Sequence, residues 1–459
     1  MGAVIVNQVA EANPKYLANS ETNSVLVGYK QSELGEIPED WECVTLGNIG
    51  QTVIGLTYSP NNVADYGILV LRSSNVQNGK LAYSDNVYVN MELPERVIVK
   101  ENDILVCVRN GSRQLIGKCA LIDKKAEGSA FGAFMSVFRT NSSKFIFYQF
   151  QSDLIQKQIN EIMGATINQI TNRDMSGFRI AIPKDEEEQT TIANALSDAD
   201  TLIVKIEKLL AKKQAIKTAT MQQLLTGKTR LPQFVLREDG SVKGYKDSEL
   251  GEMPEDWEIK CIGQFTDCTA GGTPSTKISA YWGGTNPWMS SGELHLKQIY
   301  EVAECITDYG LTNSSTKYIP KNSVLIGLAG QGKTRGTVAI NRIELCTNQS
   351  IAAIFPNENH STEYLYYNLD GRYEELRGLS TGDGGRGGLN LTIIRKLQLA
   401  FPSKEEQSVI ASILSDMDEE INILQQRLNK TRQIKQGMMQ ELLTGKTRLI
   451  KTTQLQPET

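Results

Sequence analysis

Two long stretches of this chain repeat apolar residues every three or four positions, a spacing that places them on one face of a helix. They cover residues 185–227 and 403–445. The first face runs through Ile192, Leu196, Ala199, Ile203, Ile206, Leu210, Lys213, Ile216, Thr220 and Leu224, and the second through Ile410, Leu414, Met417, Ile421, Leu424, Leu428, Thr431, Ile434, Met438 and Leu442. A long helix with a narrow apolar face needs a partner helix, so we predict that the two stretches pack as an antiparallel coiled coil.

The ends of both stretches carry helix-capping residues. Asp185 with Glu188 and Ser403 with Glu406 have the spacing of a capping box. Gly227 stands where a helix commonly ends in a left-handed glycine. The sequence therefore predicts where each helix begins, and where the first one ends.

The chain contains an internal duplication. GYKQSELGEIPEDWE at 28–42 returns as GYKDSELGEMPEDWE at 244–258, and MQQLLTGKTRL from Met221 returns as MQELLTGKTRL from Met439. Each copy is a globular part followed by a long helix, which predicts a pseudo-two-fold internal repeat.

The middles of the two copies differ strongly. Residues 43–182 and 259–401 hold short β-branched and aromatic runs separated by Gly, Asn and Asp, and short helices fit 145–163 and 362–379. This pattern predicts two strand-rich domains of the α+β class. We predict an N-terminal arm at 1–27, a first domain at 28–184, a central helix at 185–227, a second domain at 228–402, a C-terminal helix at 403–446 and a tail at 447–459.

Composition narrows the functional classes. The net charge of −5 does not suit a free-standing, non-specific DNA binder. The seven cysteines form no C-x-x-C pair and the only histidines are His295 and His360, so we expect no zinc or other metal site and no histidine-based catalysis. Neither a transmembrane run nor a secretory signal is evident, so we expect a cytoplasmic location.

The repeated ends, together with GGTPS at 271–275, YWGG at 281–284 and the EEQ entries to both helices, resemble the specificity subunit of a type I restriction-modification enzyme. The resemblance covers residues 28–449. It implies two target recognition domains that each read one half of a split site on double-stranded DNA, and a helical spacer that docks two methyltransferase subunits and the restriction/translocase subunits. It also implies no cofactor in this chain, with S-adenosylmethionine, ATP and Mg²⁺ on the partners.

Polar and basic residues in matching loops of the two domains are the candidate DNA contacts. Arg and Lys suit guanine edges or phosphates, and Asn and Gln suit adenine. In the first domain they are Thr57, Tyr58, Arg72, Asn75, Arg109, Asn110, Ser112, Arg113 and Lys118; in the second they are Thr273, Ser275, Ser290, Gln331, Lys333, Thr334, Arg335 and Arg386. The alternative for each residue is an ordinary place on a solvated surface.

GLAGQGKT at 327–334 fits the phosphate-binding loop G-x-x-x-x-G-K-[ST], which needs a helix after it. The residues that follow look like a strand. Aligned without a gap, the first copy places Leu105 opposite Val324 and Ala120 opposite Ala339, and it lacks the motif. We therefore favour a strand–loop–strand element. A phosphate-loop nucleotide-binding protein with a coiled coil, and a structural coiled-coil adaptor, stay open as alternatives.

No catalytic site is expected in this chain. The sequence contains neither the [ND]-P-P-[YF] motif of amino-methyltransferases nor an F-x-G-x-G loop for S-adenosylmethionine. PEDWEIK at 254–260 brings acidic residues close to a lysine, but the spacing is too tight for a nuclease site. We predict a non-catalytic subunit.

Overall fold

A computed structural model of the chain describes residues 27–163, 168–330, 332–379 and 388–449. The chain forms two compact units. The first consists of Met1–Val204 with Asn429–Thr459, and the second is Lys205–Leu428. Each long helix contributes residues to both units, so the units divide within the helices, whereas the domain boundaries read from the sequence fall at the helix ends.

The first unit contains two four-stranded sheets and several short hairpins. Its strands are β1 (Tyr29–Ser32), β2 (Gly35–Pro38), β3 (Trp41–Thr45), β4 (Gln51–Ile54), β5 (Val63–Ala64), β6 (Ile68–Leu71), β7 (Val76–Gln77), β8 (Lys80–Leu81), β9 (Tyr88–Val89), β10 (Ile104–Cys107), β11 (Cys119–Leu121), β12 (Ala130–Phe131), β13 (Met135–Arg139) and β14 (Arg179–Pro183). Its helices are α1 (Leu46–Ile49), α2 (Ser143–Gln151), α3 (Asp153–Ile162), α4 (Asn172–Gly177) and the first part of α5 (Glu186–Leu224).

One sheet of this unit has the order β11-β10-β13-β4 and is antiparallel, and the other has the order β12-β6-β9-β5, with β12 parallel to β6. One core lies between the two sheets. A second core joins the antiparallel sheet and α2 to the long helices through Ile192, Leu196, Leu442 and Leu443. The recognition part and the helices therefore share one hydrophobic core.

The second unit repeats this plan with different strands. They are β15 (Tyr245–Lys246), β16 (Met253–Pro254), β17 (Glu258–Cys261), β18 (Cys268–Ala270), β19 (Trp282–Met289), β20 (Gln298–Ile299), β21 (Glu304–Ile306), β22 (Tyr318–Ile319), β23 (Val324–Gly327), β24 (Val338–Asn341), β25 (Leu345–Thr347), β26 (Ile351–Ile354) and β27 (Gln398–Phe401). The helices are α6 (Pro232–Val235), α7 (Ile262–Phe265), α8 (Asp308–Thr312), α9 (Thr362–Asp370), α10 (Tyr373–Gly378), α11 (Leu391–Lys396) and α12 (Lys404–Leu442).

The second unit's sheets have the orders β18-β26-β23-β24-β20 and β21-β19-β25-β22. Its largest core again includes residues of both long helices, Leu224 and Leu225 with Ile410 and Leu414. The α+β class, with two strand-rich domains, two long helices and an internal repeat, is confirmed.

The long helices begin and end where predicted, but each capping box is only half formed. Gly227 and Gly445 both adopt φ of 74°, which only glycine adopts easily. Asp185 and Ser403 each accept a backbone N–H of the first turn. The reciprocal half of the capping box is not formed, because the carboxylates of Glu188 and Glu406 bind other partners.

A four-residue cluster joins Glu188 to the rest of the first unit. The indole of Trp41 donates to Glu188 at 3.3 Å, and Arg448, just past α12, donates to Glu188 at 2.6 and 2.8 Å. Arg448 also donates to both carboxylate oxygens of Asp40, at 2.9 and 2.7 Å. The cluster thus links the PEDW segment, the start of α5 and the end of α12.

The second unit builds the same cluster from the other copy of each residue. Arg230, just past α5, donates to Glu406 at 3.0 and 2.8 Å and to Asp256 at 2.8 Å. Trp257 donates to Glu406 at 3.1 Å. Side chains of Arg230 and Glu406 are 5% and 2% exposed, so this ion pair is buried.

A second repeated cluster places a lysine inside each unit. In the first unit Tyr148 donates to Asp200 at 2.9 Å and Lys435 pairs with Asp200 at 2.7 Å. In the second unit, Tyr367 donates to Asp418 at 2.9 Å and Lys217 pairs with the same carboxylate. Each cluster ties a short helix of the globular part to both long helices.

The positions of these lysines show that the inward-facing residues predicted for the two long helices are partly wrong. Ile216 and Ile434, predicted to be inside, are 41% and 50% exposed, and the neighbouring Lys217 and Lys435 turn inward instead. In the second unit Lys213 pairs with Glu420 and Lys217 with Asp418, so the two helix segments run antiparallel there.

The cluster around Asp40 predicts a dependence of stability on pH. The hydrogen bond from Arg448 lowers the pKa of Asp40 below its ordinary value of 3.8. A carboxylate with a lowered folded-state pKa stabilises the protein above its unfolded-state pKa and loses that effect as pH falls through the folded-state value. We expect the free energy of unfolding of wild type to exceed that of Asp40→Asn near pH 7 by less than about 1 kcal/mol, because Asp40 is mostly exposed.

This difference should shrink below about pH 4, as measured by urea unfolding at a series of pH values. Asp256→Asn in the second unit should behave alike. A difference that stays constant between pH 7 and pH 2 would contradict the assignment.

Candidate nucleic-acid interface

The predicted strand–loop–strand element of the first domain is present. Strand β10 pairs with β11, and Gly117, with φ of 82°, closes the loop by donating its N–H to the carbonyl of Cys107 at 2.8 Å. Arg109 lies exposed in this loop, with its guanidinium 5.2 Å from the ring centre of Phe134. An arginine held over an aromatic ring keeps its hydrogen-bonding edge available to a ligand.

Three predicted segments of the first domain converge around residues 131–134. Leu56, directly before Thr57, donates its N–H to the carbonyl of Phe131 at 2.7 Å, and Gly132 donates to Leu71, directly before Arg72, at 3.0 Å. Asn110 donates to the hydroxyl of Ser73 at 3.1 Å. The structure therefore brings the 57–58, 72–75 and 109–113 segments to one surface.

Several candidates on this surface also hold the loops. Arg72 pairs with Asp85 at 2.8 Å, and Lys118 donates to the carbonyl of Val76 at 2.8 Å. Arg113 is exposed, and its guanidinium donates to the carbonyl of Asn160 at 3.1 Å at the end of α3. Because these cations already have partners, DNA contact would require them to share or exchange those bonds. Thr57 and Ser112 are exposed and Tyr58 is half-buried.

Asn75 was predicted to contact DNA, but its side chain is buried. Its side chain is 0% exposed, and its amide nitrogen donates to the carbonyls of Ala82 and Asp85 at 2.9 and 3.1 Å. Its amide oxygen accepts the N–H of Arg72 at 2.9 Å. A buried amide with its hydrogen bonds satisfied holds the loop and does not present an edge to DNA.

The second domain assembles its candidates around residues 347–350. Thr273 donates to the amide oxygen of Gln349 at 2.6 Å, and Gly272 donates its N–H to the carbonyl of Thr347 at 2.8 Å. Asn348 donates its N–H to the carbonyl of Met289, directly before Ser290. Ser275 is exposed.

The remaining candidate DNA contacts of the second domain differ in how exposed they are and in the hydrogen bonds that they already make. Ser290 is the N-cap of a short 3-10 helix and bonds with Glu293, so its role includes a structural one. Lys333 is exposed, and its carbonyl accepts hydrogen bonds from Thr337 and Tyr373. Thr334 and Arg335 are half-buried. Gln331 and Arg386 lie outside the described residues.

The gapless alignment of the two hairpins is wrong by one residue in the first strand. Leu105 pairs with Ala120, whereas Leu325 pairs with Ala339. Leu105 therefore corresponds to Leu325 and not to Val324. The loop that carries the candidate residues is one residue shorter in the second domain.

The phosphate-loop motif lies in this shorter loop. Gly327 ends β23, Thr334 precedes a turn, and the next regular element is the strand β24, which pairs antiparallel with β23. A phosphate loop needs the N–H groups of a following helix. The predicted strand–loop–strand element is confirmed.

Other chemistry in the described part of the chain is limited. None of its groups of His, Cys, Asp and Glu side chains has three members placed to hold a metal ion. Burial raises the pKa of the Cys107 thiol to about 11, so this thiol beside the hairpin loop is protonated and a poor nucleophile. No described helix has the length and apolar character needed to cross a membrane.

Two residues that lie beside the candidate DNA contacts were not predicted from the sequence. Phe134 is 54% exposed beneath Arg109, and Gln349 lies against Thr273. Phe134 belongs to an apolar run, FGAF, that suggests core, and only the pairing of the neighbouring strands places it outside. Gln349 lies in the turn between β25 and β26, and no pattern in the sequence identifies it as a neighbour of Thr273.

Comparison with known proteins matches most of this chain to one family. The family model described as the type I restriction modification DNA specificity domain matches residues 38–218 and 254–433. The putative type I restriction enzyme MjaX specificity subunit of Methanocaldococcus jannaschii is 27% identical, over 92% of this chain and 97% of its own length.

Two solved structures share the fold. The S subunit of a type I restriction-modification system from M. genitalium aligns with a TM-score of 0.55 at 15% identity, over 88% of this chain and 96% of its own. A structure described for complex assembly and conformational transition of the type I R-M system aligns with a TM-score of 0.54 at 16% identity, over 90% and 99%.

The hairpin geometry predicts that Lys333 does not bind nucleotide. We expect the isolated chain to give no saturable binding of a fluorescent ATP analogue, and Lys333→Ala to leave the titration unchanged, since the loop leads into the strand β24 and not into a helix. Saturable binding that Lys333→Ala abolishes would restore the phosphate-loop interpretation.

Proposed function

This chain belongs to the type I restriction-modification DNA specificity family, and we propose that it reads a split site on double-stranded DNA through its two strand-rich domains. Recognition of DNA sequence is the role of the family. The finer proposal is that residues 43–182 read one half of the site and residues 259–401 read the other.

The observation that carries this proposal is the contrast between the repeated and the divergent parts of the two units. The Trp–Glu–Arg–Asp and Tyr–Asp–Lys clusters recur with the same residue types in the same places. The hairpin loops differ in length and sequence. A constant frame that presents two different loops suits a protein that reads two different sequences.

The residues proposed to contact DNA are those that lie exposed or half-buried on the two loop surfaces. Arg109 is the strongest candidate, because it is exposed and its contacts with the described residues are its stacking on Phe134 and its backbone hydrogen bonds. Lys333 is the exposed cation of the corresponding loop. Arg72, Arg113 and Lys118 would add positive charge near the phosphates while they hold the loops.

We further propose that each unit docks one methyltransferase subunit, and that restriction/translocase subunits join the complex. Each unit repeats the same cluster of PEDW segment, helix start and helix end, and this largely buried cluster holds the repeated segments in the same arrangement in both units. Each also exposes one apolar side chain at the same helical position, Ile434 in the first unit and Ile216 in the second. Exposed isoleucines on a helix suit packing against a partner helix.

Catalysis is proposed to belong to the partner subunits. Methyl transfer from S-adenosylmethionine, and ATP- and Mg²⁺-dependent translocation and cleavage, would take place on the methyltransferase and restriction subunits. This chain would supply DNA recognition and docking alone.

Exchange of residues 43–182 for the corresponding part of a relative tests the division of labour. Because each domain presents its own loops, only one half of the methylated sequence should change, as read by mapping methylated adenines in cells that carry the chimeric complex. Reciprocal exchange of residues 259–401 is the matched control and should change only the other half. A change in both halves after one exchange would refute the proposal.

Arg109→Ala tests the proposed contact residue. We expect the substitution to weaken binding of the assembled complex to its DNA site by about 1–3 kcal/mol, the usual range for loss of a base contact, and to relax specificity in one half-site. Lys157→Ala removes an equal charge from an exposed helix of the same domain and should change affinity little. Equal effects of the two substitutions, measured by fluorescence anisotropy at one salt concentration, would exclude a specific role for Arg109.

A further inference from the structure

The turn between β25 and β26 lies where the candidate segments of the second domain meet. Three backbone N–H···O=C hydrogen bonds hold it to those segments: from Gly272 to Thr347 at 2.8 Å, from Asn348 to Met289 at 3.1 Å and from Leu328 to Ser350 at 2.8 Å. The first partner directly precedes Thr273, the second directly precedes Ser290, and the third lies in the hairpin loop. The backbone of this turn is therefore placed by the same segments that carry the candidate DNA contacts.

The side chain of Gln349 is presented at the surface of this turn in a defined orientation. Gln349 is exposed, whereas Asn348 and Ser350 on either side of it are half-buried. Its amide oxygen accepts a hydrogen bond from the hydroxyl of Thr273 at 2.6 Å, the one hydrogen bond that this side chain makes with the described residues. This bond uses one of the two acceptor positions of the oxygen. The second acceptor position and both N–H donors of the amide remain for a ligand.

A glutamine amide with a donor and an acceptor to offer matches the edge of adenine in the major groove. Adenine presents its N6 amino group as a donor beside N7 as an acceptor, and glutamine binds both at once. Guanine presents two acceptors, and cytosine and thymine present one polar group each, so none of them pairs with both halves of the amide. Because Thr273 already holds the amide, less side-chain entropy is lost when a base binds.

The first unit builds the same turn between β12 and β13. The three corresponding backbone hydrogen bonds run from Leu56 to Phe131 at 2.7 Å, from Gly132 to Leu71 at 3.0 Å and from Val108 to Phe134 at 3.0 Å. The strand before the turn also has a parallel neighbour in each unit, β6 beside β12 and β19 beside β25. These matches align Ala133 with Gln349 and Phe134 with Ser350.

The aligned positions share a backbone but carry different side chains. Ala133 is exposed like Gln349, yet it has no group that can form a hydrogen bond with a base. The neighbouring Phe134 is 54% exposed and stacks with Arg109. The first unit thus presents a guanidinium at this surface, and the second presents an amide. A repeated turn with different polar groups suits the recognition of different bases in the two half-sites.

We propose that Gln349 reads an adenine in the major groove of the second half-site, and that Thr273 is the positioning residue that holds its amide for this contact. This inference rests on the proposed function, since it takes residues 259–401 to read one half of the site. Thr273 acts through Gln349, because its hydroxyl proton is already donated to the amide oxygen. One adenine·thymine pair of the second half-site therefore depends on these two residues.

The experiment uses the full-length chain assembled with its cognate methyltransferase subunits. Mapping of methylated adenines in cells that carry the wild-type complex gives the site, and fluorescence anisotropy at one salt concentration measures the affinity for duplexes with each single base-pair change. For Gln349→Ala we expect discrimination to fall by about tenfold or more at one adenine·thymine pair of the second half-site, as for a lost bidentate base contact. The other positions of both half-sites should keep the wild-type preference.

Four further variants separate base recognition from damage to the turn. Gln349→Glu keeps the length of the side chain but cannot donate to N7, so it should lose the adenine preference at the same pair. Thr273→Val removes the hydroxyl at nearly constant shape and should weaken that preference by about two- to tenfold, whereas Thr273→Ser should retain it. Gln426→Ala removes an exposed glutamine from α12 and is the matched control, which should leave every preference unchanged.

The other outcomes overturn the inference. A preference profile of Gln349→Ala that equals the wild-type profile would show that Gln349 reads no base, and it would leave the proposed function standing. A uniform loss of affinity over all duplexes would assign Gln349 to a phosphate or to the fold of the turn. Equal effects of Thr273→Val and Thr273→Ser would remove the positioning role. A wild-type complex that does not discriminate between DNA sequences would remove the proposed function, and the inference with it.

Discussion

An ion pair between an arginine and a glutamate in the first turn of a long helix is the interaction on which each unit depends; it is buried in the second unit and partly exposed in the first. Arg230 and Glu406 are almost fully buried, and burial of two charges is costly unless every oxygen and nitrogen finds a partner. The indole of Trp257 donates to Glu406, and the carboxylate of Asp256 accepts a hydrogen bond from Arg230 and pairs with it at 2.7 Å. Removal of one member would leave an unpaired buried charge, which typically costs about 3–5 kcal/mol.

This requirement explains which parts of the chain are repeated. Each cluster takes its tryptophan and aspartate from one PEDW segment, its glutamate from the start of the helix that follows that domain, and its arginine from just beyond the end of the other helix. The clusters therefore need the repeated segments GYK…PEDW, EEQ and LLTGKTR in both copies. The glycines before each arginine fit the same constraint, since a side chain at Gly227 or Gly445 would overlap Pro254 or Pro38.

The strand-rich parts are under a different constraint. Their strands must fill a core, but residues 109–114 and 332–333 of the hairpin loops lie at the surface and need only connect paired strands. Loops of this kind tolerate changes in length and charge. A one-residue difference in the hairpin and a longer connection before α9 are both accommodated within a shared strand order, β11-β10-β13-β4 in the first unit and β24-β23-β26-β18 in the second.

The sequence by itself determined the duplication, the α+β class, the two long helices and their glycine ends, because periodicity and repeated segments are local signals. It also located the hairpin loops and predicted the strand that follows the phosphate-loop motif. It did not determine which helix residues face inward: Ile216 and Ile434 are exposed because Lys217 and Lys435 pair with aspartates distant in the sequence. Nor could it show that Asn75 is buried or that Phe134 supports Arg109, since both facts depend on pairing between strands far apart in the chain. Burial and hydrogen-bond satisfaction are properties of the assembled core, and only the tertiary structure decided them.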